Sequence, residues 1–298
     1  MSAFAWFSGL ILAGLAAIAA FTYPAWLLLH PHFDFPFHRI GERIGMLVLL
    51  LGFVLAMKRL RLDDRASLGF GLPRRLFLRE MGIGLGVGVA SMAAVVGIMS
   101  ALGLLAWQAP PAAALLRLVA AKALGGLAVA LIEETFLRGA MHTAIERESG
   151  ARAAVLLTAL VYALTHFFAA FRIPADQVNA YSGLALLLGT LQLFSHPLRI
   201  ADAFLCLFAV GVVLGSVRTA TGNIAACIGL HAGWVWVMLV AHELTQPLRS
   251  APGGFLLSRY DGFIGWLVLA WTIALGLALR RFYAGRGGCA MSDNASSR

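Results

Sequence analysis

The chain has 298 residues, of which 60% are hydrophobic and 12% are charged, and its mean hydropathy is +0.85. A soluble domain carries about twice that share of charged residues, so the composition excludes an ordinary water-soluble protein and indicates one membrane domain. The net charge of +9 does not indicate nucleic-acid binding, because the arginines cluster in short loops and no basic stripe alternates with aromatic residues.

Apolar runs long enough to cross a membrane recur along the whole chain. We predict an all-α, polytopic transmembrane helical bundle with about eight spans, at about residues 4–29, 44–60, 81–107, 112–145, 153–171, 199–218, 222–245 and 261–281. The stretch 183–195 is apolar but short, which favours a re-entrant or interfacial helix. No basic residue precedes the first run, so we expect a retained span rather than a cleaved signal peptide.

The distribution of arginine predicts the orientation. Basic residues are concentrated between positions 58 and 79 and between 280 and 286. With eight spans these two segments lie on the same side, and the positive-inside rule makes that side cytoplasmic. The preference for arginine over lysine is typical of GC-rich bacterial genomes. We therefore expect a multi-pass protein of a bacterial inner membrane with both termini in the cytoplasm.

Glycine and cysteine carry structural rather than chemical signals. The third run contains Gly82, Gly84, Gly86 and Gly88. No strand precedes them and no acidic partner follows, so close helix packing explains them better than nucleotide binding does. The three cysteines have no spacing that indicates a disulfide framework or a metal site.

Three charged residues stand out inside the fourth run: Glu133, Glu134 and Arg138. Each ionised group near the centre of a bilayer costs about 2.5–3.5 kcal/mol, so the three must pair or face the protein interior. Glu134 and Arg138 are spaced i and i+4 and can pair on one helix face, while Glu133 lies about 100° away. The alternative is that the cluster lies at the cytoplasmic membrane surface, where charged residues are ordinary.

Two histidines lie in other spans. His166 is in the fifth run and His231 in the seventh. Each by itself fits a packing residue that bonds a neighbouring helix. A carboxylate and two imidazoles that converge in a bundle core would supply a base, an orienting group and an oxyanion donor for hydrolysis.

The order of these residues resembles a known family. Three motifs follow one another on separate spans: Glu133-Glu134-x-x-x-Arg138, Tyr162-x-x-x-His166 and His231-Ala232-Gly233-Trp234. From about residue 120 to 240 the chain is similar to the CPBP intramembrane proteases, also called the type II CAAX prenyl endopeptidase and Abi-related family.

The resemblance implies roles for the matching positions. Glu133 matches the glutamate that activates water, His166 the histidine that shares the water, and His231 the histidine on the oxyanion side. Glu134 and Arg138 match supporting residues. Tyr162 replaces the usual Phe, and Val235 stands where the prenyl endopeptidases have Asn or a similar donor. The indole N–H of Trp234, at i+3 from His231, is a candidate replacement for that donor.

The resemblance divides the chain into three parts. Residues 1–110 form N-terminal spans with a basic cytoplasmic loop, residues 111–245 a catalytic membrane core, and residues 246–298 the last span and a cytoplasmic tail. We expect an endopeptidase that acts on a membrane protein or a lipid-anchored peptide within the bilayer, with no nucleic-acid partner.

Three alternatives stay open at this stage. Zinc is a rival to a metal-free glutamic mechanism; the ligand types are present, but a His-Glu-x-x-His helix is absent, so we expect no metal. A proton-coupled transporter uses the same residue types, although the chain lacks a visible internal repeat. A non-catalytic immunity or scaffold protein of the same fold is favoured by Val235 alone.

Overall fold

The computed structural model describes residues 2–108, 110–169 and 171–295. Within these ranges the chain is almost entirely helical. The α-helices are α1 (Ala3–Leu29), α2 (Phe37–Arg59), α3 (Arg74–Ala101), α4 (Ala112–Glu134), α5 (His142–Thr165), α6 (Ser182–Phe194), α7 (Ala201–Thr221), α8 (Ala225–Leu244) and α9 (Trp266–Ala295). A π-helical turn, Thr135–Met141, joins α4 to α5, and a two-stranded antiparallel sheet consists of β1 (Leu105–Trp107) and β2 (Thr245–Pro247).

Six helical segments among the described residues are long and apolar enough to cross a membrane, which confirms an all-α polytopic bundle. One of them, Ala112–Thr165, has 54 residues. A straight helix of that length would measure about 80 Å, more than twice the hydrocarbon thickness. The segment bends at Gly150, where φ is 81° and ψ is 166°, so it supplies two of the eight predicted spans. The remaining predicted span corresponds to α2, which is not among these six helical segments.

Contacts between loops show which helix ends lie together. The Ala3 backbone N–H donates to Glu148 Oε2 at 2.7 Å, and Arg147 Nη1 donates to the Arg61 carbonyl at 2.7 Å. At the opposite end of the bundle, β1 pairs with β2, with Leu105 opposite Pro247. The chain start, the loop after α2 and the bend at Gly150 therefore share one end, as the predicted eight-span topology requires.

The third predicted span ends earlier than expected. We predicted 81–107, but α3 ends at Ala101 and residues 105–107 form β1. The reason is Gly103, whose φ of 67° lies in the left-handed region that glycine adopts readily. The chain leaves the helix there, and β1 pairs with β2. Strand β2 begins at Thr245, the last residue of the seventh predicted span.

Glycines allow α8 to pack closely between α3 and α4. A Cβ on Gly84 would lie 2.5 Å from the Ala226 carbonyl oxygen, and a Cβ on Gly88 would overlap the Leu230 carbonyl oxygen. A Cβ on Gly126 of α4 would be 3.1 Å from the Ala232 carbonyl oxygen on the other side of α8. These close approaches set the position of His231, which faces the interior. A Cβ on Gly82 or Gly86 would have no neighbouring atom within 4 Å. Gly84 and Gly88 therefore serve the packing role that was predicted for all four glycines.

Helix α6 contains the short apolar stretch predicted at 183–195. Its 13 residues span about 20 Å, which is too short to cross the hydrocarbon. It packs against α1, where a Cβ on Gly183 would overlap the Ala19 carbonyl oxygen. Whether it is re-entrant or interfacial stays a prediction.

Candidate active site

The two glutamates lie where α4 changes into the π-helical turn. Glu133 and Glu134 are the last residues of α4, and Arg138 is in the middle of the turn. Single π-helical turns inside α-helices are rare, and those that occur are often found at functional sites. Arg218 of α7 stabilises this turn, because its Nε donates to the Arg138 carbonyl at 3.0 Å and its Nη2 donates to Thr143 Oγ1 at 3.1 Å.

Glu134 is fully buried and has two charged or polar partners on one oxygen. Arg138 Nη1 donates to Glu134 Oε1 at 3.0 Å, which confirms the pair predicted from the i, i+4 spacing. His231 Nδ1 lies 2.8 Å from the same oxygen. Because an ionised carboxylate only accepts hydrogen bonds, Nδ1 carries the proton in that contact. Glu134 therefore fixes the orientation of the His231 ring.

Glu133 has a different environment. Its side chain is 33% exposed, yet its Oε2 atom is buried without a hydrogen-bond partner. His231 Nε2 lies 4.0 Å from this atom. A water molecule about 2.8 Å from each atom fits that separation. His231 thus lies between the two glutamates, with one ring nitrogen toward each.

The Tyr162 ring joins the three predicted motifs. The Arg138 guanidinium lies over it at 4.8 Å from the centroid. The His166 ring is 4.3 Å away and tilted, and the His231 ring is 5.9 Å away and edge-on. The two histidines and the first motif therefore surround one buried aromatic ring, although they come from three helical segments.

His166 lies at the C-terminal end of α5, where a 3-10 turn begins. Its Nδ1 is 2.8 Å from the Tyr162 carbonyl oxygen. A carbonyl oxygen only accepts, so Nδ1 carries the proton and Nε2 of the neutral ring has a free lone pair. Tyr260, in the loop between β2 and α9, donates its hydroxyl proton to the His166 carbonyl at 3.0 Å.

Trp234 and Val235 do not supply the expected oxyanion donor. The Trp234 indole N–H donates to Ser91 Oγ on α3 at 2.8 Å, and an indole has only that one donor. Val235 is half-buried on α8 and has no donor on its side chain. The structure therefore gives Trp234 a role in holding α8 against α3.

The described ranges, with gaps at 109 and 170 and at both extreme ends, contain no group of three or more His, Cys, Asp and Glu side chains arranged to hold a metal ion. The polar residues near Glu133 include glutamate, histidine and tyrosine, which are residue types that transfer protons, and an arginine that stays charged.

Sequence reasoning missed two residues that hold the site. Ser91 lies in an apolar run of α3 and Tyr260 in a loop near the last span. Neither belongs to a motif, and each contacts its partner across a long sequence separation, 143 positions for Ser91 and 94 for Tyr260. Only the fold brings them to the site.

Part of the chain is similar to a known protease family. Residues 115–237 match the family model described as type II CAAX prenyl endopeptidase Rce1-like. The matched range contains all the residues of the three motifs and ends before Tyr260. Neither the curated proteins nor the solved structures include a match.

Proposed function

We propose that the chain is an intramembrane endopeptidase in which Glu133 activates the water, because residues 115–237 match the Rce1-like CAAX prenyl endopeptidase family model and six of the described helical segments are long and apolar enough to cross a membrane. One observation carries the proposal: Glu133 Oε2 has no hydrogen-bond partner, faces His231 Nε2 at 4.0 Å and belongs to a side chain that is 33% exposed, whereas Glu134, whose Oε2 also has no partner, is fully buried. A carboxylate oxygen left unpaired in the bundle interior costs free energy, and a reactive water is the group that would use it.

Charge balance supports a defined protonation state for the cluster. Glu133 and Glu134 are negative and Arg138 is positive. A doubly protonated His231 would donate one N–H to Glu134 and present the other toward Glu133, which brings the net charge of the four groups to zero. Neutrality lowers the cost of a charged cluster in a medium of low dielectric constant. In the proposed mechanism His231 therefore carries both protons.

Hydrolysis begins with the water between Glu133 and the histidines. The water donates one hydrogen bond to Glu133 Oε2 and one to the free Nε2 of His166. Glu133 removes a proton as the water oxygen attacks the carbonyl carbon of the substrate. The oxygen of that carbonyl becomes an oxyanion and accepts a hydrogen bond from the Nε2–H of His231. Donors aimed at developing charge are often the largest single contribution to catalysis.

Cleavage completes the proton cycle. Glu133 passes its proton to the leaving amide nitrogen as the carbon–nitrogen bond breaks, and a carboxylic acid and an amine result. Glu134 does not exchange protons in this scheme. It holds His231 while Arg138 offsets its charge, so the two adjacent glutamates have different tasks because their surroundings differ.

The substrate is a membrane protein or a lipid-anchored peptide, since Glu133 lies inside a membrane-spanning helix. The test compares the membrane and secreted proteomes of the native host carrying wild type, Glu133→Gln or Glu243→Gln at equal protein levels. Glu243 is a matched control, because it is a glutamate that pairs with Lys122 at 2.7 Å and is exposed. Peptide termini that disappear in Glu133→Gln and persist in Glu243→Gln would support the proposal. Unchanged termini in Glu133→Gln would overturn it.

Zinc is the alternative source of an activated water, because Glu133, His166 and His231 are of residue types that bind it, although the described residues contain no group of three such side chains arranged to hold a metal ion. Metal analysis of the purified, chelator-washed enzyme distinguishes the two mechanisms. The glutamic mechanism requires full activity at far less than one metal ion per chain. Stoichiometric zinc that is lost together with activity would replace it with a metal-dependent one.

A further inference from the structure

We propose that Tyr260 is a positioning residue that fixes His166 for the attack of water. This inference rests on the proposed peptidase function and adds to the site a residue outside the range 115–237 that matches the family model. The observation is the hydrogen bond of 3.0 Å from the Tyr260 hydroxyl to the His166 carbonyl oxygen. It connects the loop before the last helix to the backbone of a residue that contacts the water.

The location of His166 makes an external anchor useful. His166 is the C-cap residue of α5 and the first residue of the 3-10 turn His166–Ala169. Hydrogen bonds in a 3-10 turn have poorer geometry than those in an α-helix, so this junction gains from an added donor. The Tyr260 hydroxyl supplies a donor at this point, while the ring packs against Phe167 with 4.8 Å between centroids. The contact thus holds both the carbonyl of His166 and the residue that follows it.

Tyr260 is itself held firmly. Its backbone N–H donates to Ser258 Oγ at 3.0 Å. The next residue, Asp261, accepts hydrogen bonds on Oδ1 from the backbone N–H groups of Phe263 and Ile264, both at 2.9 Å. Ser258 and Phe263 are fully buried. A loop tied down on both sides of Tyr260 can transmit its own rigidity to the helix end.

Two anchors then define the direction of His166 Nε2. The Tyr162 carbonyl accepts from Nδ1 of the ring, and Tyr260 fixes the backbone to which the ring is attached. Removal of the hydroxyl leaves the first anchor and releases the second. A displacement of about 1 Å in a catalytic group costs on the order of 100-fold in rate, and substrate binding need not change.

The test uses purified full-length enzyme and a synthetic peptide that spans the cleavage site found in the proteome comparison. Tyr260→Phe removes only the hydroxyl and keeps the ring against Phe167. Thr158→Val is the matched control, because it also removes one hydroxyl that donates to a backbone carbonyl, on α5 about two turns before His166. We expect Tyr260→Phe to lower kcat by about 10- to 100-fold with KM within about twofold, and Thr158→Val to keep the wild-type kcat.

The outcomes separate this inference from the function on which it rests. If Tyr260→Phe keeps the wild-type kcat while Glu133→Gln is inactive, the role of Tyr260 is refuted and the peptidase stands. An equal loss of kcat in Thr158→Val would also refute it, because general destabilisation would then explain the effect. If Glu133→Gln hydrolyses the peptide at the wild-type rate, the proposed function itself fails.

Discussion

Two adjacent glutamates differ in their partners and in their exposure. Glu134 is fully buried and paired with Arg138 and His231. Glu133 is 33% exposed, and His231 Nε2 lies 4.0 Å from its Oε2. The Oε2 atom of each glutamate is buried without a hydrogen-bond partner, so the fully buried ion pair and the partial exposure are what separate the two residues. The difference predicts different effects of the same substitution on stability.

Glu134→Gln should destabilise the protein more than Glu133→Gln does. Removal of one partner from a buried ion pair costs about 3–5 kcal/mol, because the other charge stays buried; here that charge is Arg138. Glu133→Gln removes a partly exposed charge that His231 balances only across 4.0 Å, and an ion pair of that kind contributes at most about 1 kcal/mol to the free energy of unfolding. Unfolding by SDS titration in mixed micelles measures both variants. Equal destabilisation of the two would contradict the separate roles.

For single residues, the sequence predicts the contacts that depend on spacing along one helix. The ion pair between Glu134 and Arg138 is predicted by their spacing of four residues along one helix, and the structure contains it. The bond from His231 to Glu134 spans 97 positions, and no periodicity encodes it. The hypothesis for Trp234 shows the same limit, since an i+3 spacing places the indole near His231 in sequence but cannot reveal that Ser91, on another helix, accepts its proton.

The crossing of α3 and α8 is the element that locates His231. Gly84 and Gly88 of α3 approach the backbone of α8, while Gly82 and Gly86 point to open space. The period of the glycine run predicted close packing, but which glycines face the partner depends on the rotation of the helix, which only the neighbouring helices fix.

Gly88→Ala should disturb the active site, and Gly86→Ala should not. A Cβ on Gly88 would overlap the Leu230 carbonyl oxygen and lie 3.1 Å from Gly233 Cα, so the helices must separate next to His231. Overpacking of this kind costs about 1–3 kcal/mol. Thermal unfolding and the rate of peptide hydrolysis measure the effect. Wild-type stability and activity in Gly88→Ala would show that the close approach is not required.

The π-helical turn is the feature of the helices that sequence could not predict. Residues 112–145 indicated one continuous α-helix, and no residue type in Thr135–Met141 demands a widened turn. The contacts that hold it are tertiary: Arg218 of α7 donates to the Arg138 carbonyl and to Thr143 Oγ1. By contrast, the break near Gly150 falls between the predicted fourth and fifth spans, because a polar stretch with glycine interrupts the apolar pattern there.

For the whole molecule, the bundle has two distinct ends. The loop after α2 and the bend at Gly150 meet at one end, and β1 and β2 pair at the other. The count and pairing of helix ends agree with the hydropathy of the sequence. The side of the membrane on which each end lies is predicted from the arginine-rich loops alone.

Labelling of single cysteines tests that orientation. Asp63→Cys and Gln246→Cys lie in exposed positions at opposite ends, in a background without the native cysteines. We expect an impermeant thiol reagent to label Gln246→Cys in intact cells and Asp63→Cys only in inverted vesicles. The reverse pattern would place the basic loop outside the cytoplasm and overturn the predicted topology.

The most direct test of the account is the rate at which purified Glu133→Gln hydrolyses the peptide that spans the cleavage site. Loss of a general base lowers the rate by about 100- to 10,000-fold, and we predict a loss in that range with the stability of the fold intact. A well-folded Glu133→Gln enzyme that cleaves at the wild-type rate would show that Glu133 does not activate the water, and the proposed mechanism would be wrong.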